Sequence, residues 1–280
     1  MADVRKSLQV LRSEWESCKD CELGVRRDAT NSSFVFGEGA RNGILFVGEG
    51  PVREDEEQGR AFVSEAGDLL RTILGKLQFT DYYMTNLVCC RSCEPVLDSA
   101  TGMPIIKKAR YGKPGEVLMR DCTPLPKHIE ACRPRLHEQI YIIDPVLIVA
   151  TGGTAAEHIL GRPITITNKR GTFHECTIPG ATLRPVLTDK KQVWGRKIHG
   201  SYQLPTETNE VKYTVLLTNH PAYIRRKGMD MGRDSPLRQF AADIRLAVKT
   251  YEKYVSEVFN RELTSTSDAD LSDAGDNDGD

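Results

Sequence analysis

Two kinds of residue in this sequence are equipped for chemistry: thiols at metal-ligand spacing, and polar side chains placed just after apolar runs. Cys18 and Cys21 form a C-x2-C pair and Cys90 and Cys93 form a second, with Cys89, Cys122, Cys132 and Cys176 making up the eight cysteines. In a chain without marks of secretion, such thiols point to metal or catalysis rather than disulfides. Two C-x2-C pairs suit a four-thiolate zinc site. An iron–sulfur cluster asks for the same four thiolates, often from scattered positions. The second kind of residue starts with the loop FVGEGPVREDEEQGRAF at 46–62. It has the glycine-bearing form of a phosphate cradle, yet it carries Glu49, Glu54, Asp55, Glu56 and Glu57. Like charge would repel a phosphate there.

Apolar runs of strand type position these groups: ILFVG (44–48), YYMTNLV (82–88), PVLIVATG (145–152) and YTVLLTN (213–219). Between them lie helical patterns. SEAGDLLRTILGKL (64–77) puts its leucines and Ile73 on one face, with Ser64 as N-cap. CRPRLHEQIYIID predicts a helix starting near Cys132 with Pro134 in its first turn. TAAEHILG follows Gly152 and Gly153, and a long amphipathic segment starts at Pro236. Alternating strands and helices predict a three-layer α/β/α sandwich around a mostly parallel sheet of about four strands. Such sheets bind ligands beyond the carboxyl ends of their strands. Glu49, Asn86, Gly152 and His220 all fall at that edge, with Phe62 closing the acidic loop. Each residue alone has an ordinary explanation as cap, turn or core. Together, a carboxylate, an amide, an imidazole and an aromatic ring suit a planar, hydrogen-bonding ligand such as a nucleobase.

The 280 residues, 39% of them hydrophobic, suit a single domain over 1–260. Stretches near 92–121 and 186–211 lack periodicity and read as insertions or long loops. Residues 264–280 hold six Asp and no Lys or Arg, and should form a disordered acidic tail. The formal net charge of −1 therefore hides a mildly basic body, which permits a nucleic-acid partner. No apolar run approaches the ~20 residues that span a bilayer, and residues 1–15 lack the apolar core of a signal peptide. A monomeric, intracellular, cytoplasmic protein with no membrane attachment is expected.

Taken together, the ordered pieces C-x2-C (18–21), VFGEG (35–39), ILFVGEGP…GRAFVSEAGDLL (44–70), TNLV-x-CR (85–91), C-x-P-x-L-x-x-Q-I (132–140), DPVLIVATGGTAA (144–156), ITNKRGTF (166–173) and NHPAYIRR (219–226) resemble the iron–sulfur, family 4 uracil-DNA glycosylases. The resemblance implies a base-excising enzyme of DNA repair, with DNA as partner and a [4Fe–4S] cluster held by Cys18, Cys21, Cys90 and Cys132. It implies that Phe62 stacks on the flipped base, that Gly50 lies against it, and that Asn86 reads its hydrogen-bonding edge. His220 would donate to a carbonyl oxygen of the leaving base. Glu49, with Asp55 second, would position water or stabilise charge on the sugar. Beyond the resemblance, Arg225, Arg226, Lys169 and Arg170 are candidates for phosphate contacts, as are the backbone N–H groups opening the TAAEH helix.

The chain departs from the family where Gly is usual at Val52, at Arg53 where an acid is common, at Asp55 for Glu, and at Ser64 for Gly. All four lie in the pocket loop, so a narrowed or re-aimed pocket is expected. Three functions compete: excision of uracil, excision of another modified base, and a catalytically weak glycosylase-like factor that binds DNA or a protein through its insertions and tail. The paired retention of Asn86 and His220 favours an enzyme.

Overall fold

The computed structural model describes residues 7–106, 115–179, 184–188, 191–198, 201–203, 210–230, 232 and 234–272. Its first half runs α1 (Leu8–Trp15), α2 (Glu22–Ala29), β1 (Glu38–Gly39), β2 (Ile44–Gly48), α3 (Arg53–Gln58), α4 (Glu65–Lys76), β3 (Tyr82–Asn86), β4 (Cys93–Pro95), β5 (Met119–Asp121) and α5 (Pro126–Ile143). There follow β6 (Leu147–Thr151), α6 (Gly153–Leu160), α7 (Ile166–Lys169), β7 (Phe173–Pro179), β8 (Arg184–Thr188), β9 (Lys191–Ile198), β10 (Ser201–Gln203), β11 (Glu210–Thr218), α8 (Pro221–Lys227) and α9 (Pro236–Ser272).

The main sheet has the order β1-β3-β2-β6-β11-β7. Its four central strands, β3, β2, β6 and β11, pair in parallel. These are the four strands expected from the apolar runs. The sheet is larger than expected because β1 and β7 add antiparallel edges. Neither edge is an uninterrupted apolar run, since an edge strand is not enclosed on all sides.

Every residue of β2 and of β6 is buried. Alternate side chains of β2 enter opposite cores, which is the mark of a covered sheet. Leu45 and Val47 pack with α1, α5 and α6 through Leu11, Ile140 and Ala155. Ile44 and Phe46 pack with α4 and α9 through Leu70, Leu74 and Phe240. Each such side chain contributes about 1.5–3 kcal/mol relative to exposure. This is the α/β/α arrangement that the alternation predicted.

Four expectations change. Helix α5 starts at Pro126, two turns before Cys132, with Leu125 extended as its N-cap residue. Proline fits the first helical position because no N–H is needed there. Cys132 thus lies mid-helix, and Pro134 is an interior residue. The first insertion forms a hairpin arm, with β4 and β5 antiparallel and further bridges at Leu97–Pro104 and Ile106–Val117. Residues 107–114 fall outside the described residues. The second insertion is a three-stranded antiparallel sheet, β10-β9-β8. Helix α9 continues to Ser272 and takes in the first part of the expected disordered tail, since extending an existing helix avoids the cost of nucleation. The rest of the tail lies outside the described residues.

Candidate active site

The chain leaves β2 toward β3 on one side and later places β6 on the other. A crevice therefore opens beyond the carboxyl ends of β2 and β6, where open parallel sheets bind ligands. It has a volume of about 410 Å3 and is walled by Glu49–Val52, Thr151–Gly153 and His220, with Arg226 at its edge. The first insertion also reaches it, through Ser92, Asp121 and Cys122 at the root of the arm. Arg91 fastens that root, lying between Asp121 and Glu56 of α3.

His220 caps α8, whose first position is Pro221. Its Nδ1 accepts the Ala222 backbone N–H at 3.1 Å. The free proton of the neutral ring is then on Nε2. Burial holds the His220 pKa below its ordinary value, the Glu49 carboxylate opposes this, and Arg226 adds to it. The result is a neutral donor at neutral pH. Gly152, at φ +95°, lets β6 pass close by: a Cβ there would lie 3.0 Å from His220 Cβ.

Asn86 and Phe62 meet over Gly48. The parallel register sets Gly48 beside Asn86. A Cβ on Gly48 would lie 2.3 Å from Asn86 Oδ1 and 2.8 Å from Phe62 Cζ. Asn86 is only 3% exposed, and its Nδ2 is buried without a hydrogen-bond partner. Such a group costs about 1–3 kcal/mol unless a ligand satisfies it. Phe62 has φ +57°, an uncommon conformation for a residue with a Cβ. Arg71 holds it there by donating to the Phe62 and Ala61 carbonyls at 3.1 and 2.9 Å. Gly67 lets α4 approach the Phe62 backbone, where a Cβ would fall 2.1 Å from its oxygen.

The remaining pocket-loop residues divide by partner. Gly50 lines the crevice against Val88 and Pro124. Asp55 points into the loop: its carboxylate accepts the Val52 and Val63 N–H groups at 3.2 and 2.8 Å. Burial raises its pKa, and backbone N–H bonds from Val63, Val52 and Ser64 oppose the rise. It braces the loop on both flanks of α3. Val52 has φ −94° and ψ 179°, so its backbone needs no positive φ, while its side chain lines the crevice. Arg53 pairs with Glu54 and Glu57 at the surface.

The four basic residues expected on DNA also separate. Arg226 lies at the crevice and Lys169 is exposed. Arg225 pairs with Glu65 on α4. Arg170 is turned inward: Nε donates to Asp243 Oδ2 at 3.0 Å, and Nη2 bonds Asp243 Oδ1 and the Gln239 carbonyl. Asp243 is buried and also accepts the Thr218 hydroxyl at 2.8 Å. Arg170 therefore ties α9 to the end of β11 rather than presenting its charge.

Cys18, Cys21 and Cys132 pack against the core that contains Cys90. Burial pushes the Cys90 thiol up to about 12, Arg27 opposes this, and Cys132, Cys21 and Cys18 each push it further. Mutual repulsion of this kind requires the four thiols to be neighbours. Arg27 Nη1 donates to Cys90 Sγ at 3.6 Å, the type of N–H···S contact that tunes thiolate clusters. Cys93 instead feels Arg26, Arg91, Glu56 and Asp121. Beyond its burial, Cys89 shares the repulsion among thiols, from Cys132, Cys90 and Cys18, so the neighbouring thiols include Cys18, Cys21, Cys90 and Cys132, enough for a four-thiolate group. Among the described residues no three His, Cys, Asp or Glu side chains already converge to metal-ligand geometry.

Gly48, Arg71 and Arg135 were not singled out by their sequence positions. Gly48 was legible in principle, because it ends a strand whose register faces Asn86.

Residues 35–245 match the family model described as the uracil DNA glycosylase superfamily. A "Type-4 uracil-DNA glycosylase" of Thermotoga maritima is 29% identical over 229 residues, covering 79% of this chain and 96% of that protein. Proteins of the same name from Sulfurisphaera tokodaii and Pyrobaculum aerophilum are 35% and 31% identical, covering 56% and 65% of this chain and 59% and 81% of theirs. With residues 35–245 matched by that family model, most of its length, the chain belongs to the uracil-DNA glycosylase superfamily.

Proposed function

We propose that the protein is a DNA glycosylase that hydrolyses the N-glycosidic bond of a flipped-out uracil. The observation that carries this reading is the buried, unpartnered Asn86 amide beside Phe62. Extruding the base costs a few kcal/mol, and stacking on Phe62 offsets part of it. The Asn86 Nδ2–H donates to the uracil O4 and Oδ1 accepts from N3–H. Cytosine presents a donor at C4 and an acceptor at N3, so both contacts would be lost.

As the N1–C1′ bond breaks, its electron pair moves onto the base. The His220 Nε2–H donates to O2 and stabilises that charge, at the position where it develops. Glu49 faces the sugar, stabilises the positive charge at C1′ and takes a proton from the water whose oxygen bonds to C1′. The departing base is protonated by solvent. Asp55 acts through the loop it braces. Arg226 and Lys169 supply phosphate contacts, which position the strand without reading its sequence.

Cys18, Cys21, Cys90 and Cys132 would hold a [4Fe–4S] cluster, which would crosslink the N-terminal segment, the loop after β3 and α5. The arm and the acidic tail remain surfaces for a protein partner. Among the described residues no helix is long and apolar enough to cross a membrane.

Single-turnover excision from oligonucleotides bearing uracil tests the proposal. Release of uracil is expected, with His220→Ala and Asn86→Ala slowed roughly 10²–10³-fold. A protein that binds the oligonucleotide and leaves uracil in place would refute it. Because Val52 adds a branched side chain to the crevice wall, a panel of other modified bases belongs in the same assay.

A further inference from the structure

Among the described residues, Arg135 is the largest side chain that is fully buried, at 0% exposure. Its Nη2 donates to the carbonyls of Asn86 and Leu87, both at 2.8 Å. Its Nη1 donates to Gln139 Oε1 at 2.6 Å and Thr85 Oγ1 at 3.3 Å. Its Nε is buried without a partner. All four acceptors are neutral oxygens, and among the described residues no carboxylate pairs with this guanidinium. A buried ion is ordinarily paired, because removing charge from water is costly.

We propose that Arg135 is a positioning residue for base release, clamping the backbone of Asn86 and setting a fixed positive charge behind the amide that reads the base. This rests on the base-excision reading above. The clamp has a structural part. One nitrogen holds two successive carbonyls at the end of β3, so the strand cannot turn there without breaking both bonds. Gln139 extends the hold, donating to the Phe36 carbonyl and the Tyr83 hydroxyl at 2.9 and 3.1 Å. Thr85 joins through its own bond to the Phe36 carbonyl at 2.9 Å. Arg135 also follows Cys132 by three residues on α5, so the helix bearing a clustered thiol is the one that grips the base reader.

The clamp has an electrostatic part as well. Bond cleavage leaves negative charge on the base, spread over its oxygens. A guanidinium in a buried site stabilises that charge more than it stabilises the neutral bound base, and it needs no reorganisation when the bond breaks. Arginine stays charged at every working pH. Neutral core filling would explain the hydrogen bonds but predicts no dependence on the leaving group.

The test is single-turnover excision of uracil and of 5-fluorouracil by full-length wild type, Arg135→Gln and Arg135→Lys. Fluorine lowers the pKa of the base, so its anion leaves with less help. Arg135→Gln should slow uracil release at least roughly tenfold and 5-fluorouracil release by less, so the ratio of the two rates widens several-fold. Arg135→Lys keeps the charge and loses one carbonyl bond. It should slow both bases alike and leave the ratio at its wild-type value. Equal slowing of both bases in Arg135→Gln, or a ratio that widens in Arg135→Lys, overturns the proposal. Should Arg135→Gln fail to fold on a thermal melt, Arg135→Met, which also removes the charge, takes its place: a widened ratio supports the proposal and an unchanged ratio overturns it. A wild type that excises neither base sinks the excision reading first, and the clamp with it.

Discussion

Gly48→Ala should disable base excision while leaving the fold in place. Gly48 pairs with Asn86 inside the sheet, and alanine tolerates strand backbone well, so the effect is steric. The new methyl would lie 2.3 Å from Asn86 Oδ1 and 2.8 Å from Phe62 Cζ. Ordinary van der Waals contact for such pairs begins near ~3.5 Å. Asn86 must therefore move by about 1 Å, and Phe62 by somewhat less. Neither has free space, since both are buried. Overpacking of this kind costs about 1–3 kcal/mol of stability. A displacement of about 1 Å at the reacting groups costs on the order of 10² in rate. The assay pairs single-turnover release of uracil with a thermal melt and an affinity measurement on an abasic duplex. Excision should fall about a hundredfold, with abasic-duplex affinity unchanged. A folded Gly48→Ala protein that excises uracil within a few-fold of wild type would show that Asn86 and Phe62 do not form the floor of the site.

Three other outcomes follow from the same structure. His137 has its pKa lowered to about 4, by burial first and then by Arg133 and Arg135. The unfolded chain binds that proton below about 6.5 and the folded chain only below about 4, so stability should fall by up to roughly 3 kcal/mol as pH drops across this window; denaturant titrations of wild type and His137→Gln at pH 7 and pH 4.5 check it, the variant losing less. Arg170→Met should leave the buried Asp243 unpaired and destabilise the protein by about 3–5 kcal/mol, whereas Arg226→Ala should leave the melt unchanged and flatten the salt dependence of DNA binding by about one phosphate contact. Cys132→Ser should abolish bound iron and the brown absorbance near ~400 nm expected of a thiolate cluster, while Cys93→Ser should keep both; iron analysis of the purified variants decides it.

Much of this protein is legible along the chain because burial writes itself into composition. ILFVG and PVLIVATG run through strands enclosed on both faces and had to be largely apolar, and the ends of the four parallel strands set Glu49, Asn86, Gly152 and His220 at one edge of the sheet. The edges escaped the same reading: β1 has two residues, and β7 carries His174 and Glu175 in its sequence because one side of it is open. The insertions escaped it too, since small antiparallel sheets outside the core need no long apolar run. Partners are what only the tertiary structure decided. Lys169 and Arg170 are adjacent basic residues, yet one is exposed and the other is closed on Asp243, 73 positions away. Asp55 and Glu57 stand in one run of acids, yet Glu57 is exposed while the Asp55 carboxylate is buried and accepts the Val52 and Val63 N–H groups. Arg135 looks like any charged residue on a helix, until the fold sets it against neutral oxygens and, among the described residues, no carboxylate. Local sequence records how much of a residue is hidden. Which atoms hide it depends on segments that meet only when the chain has folded.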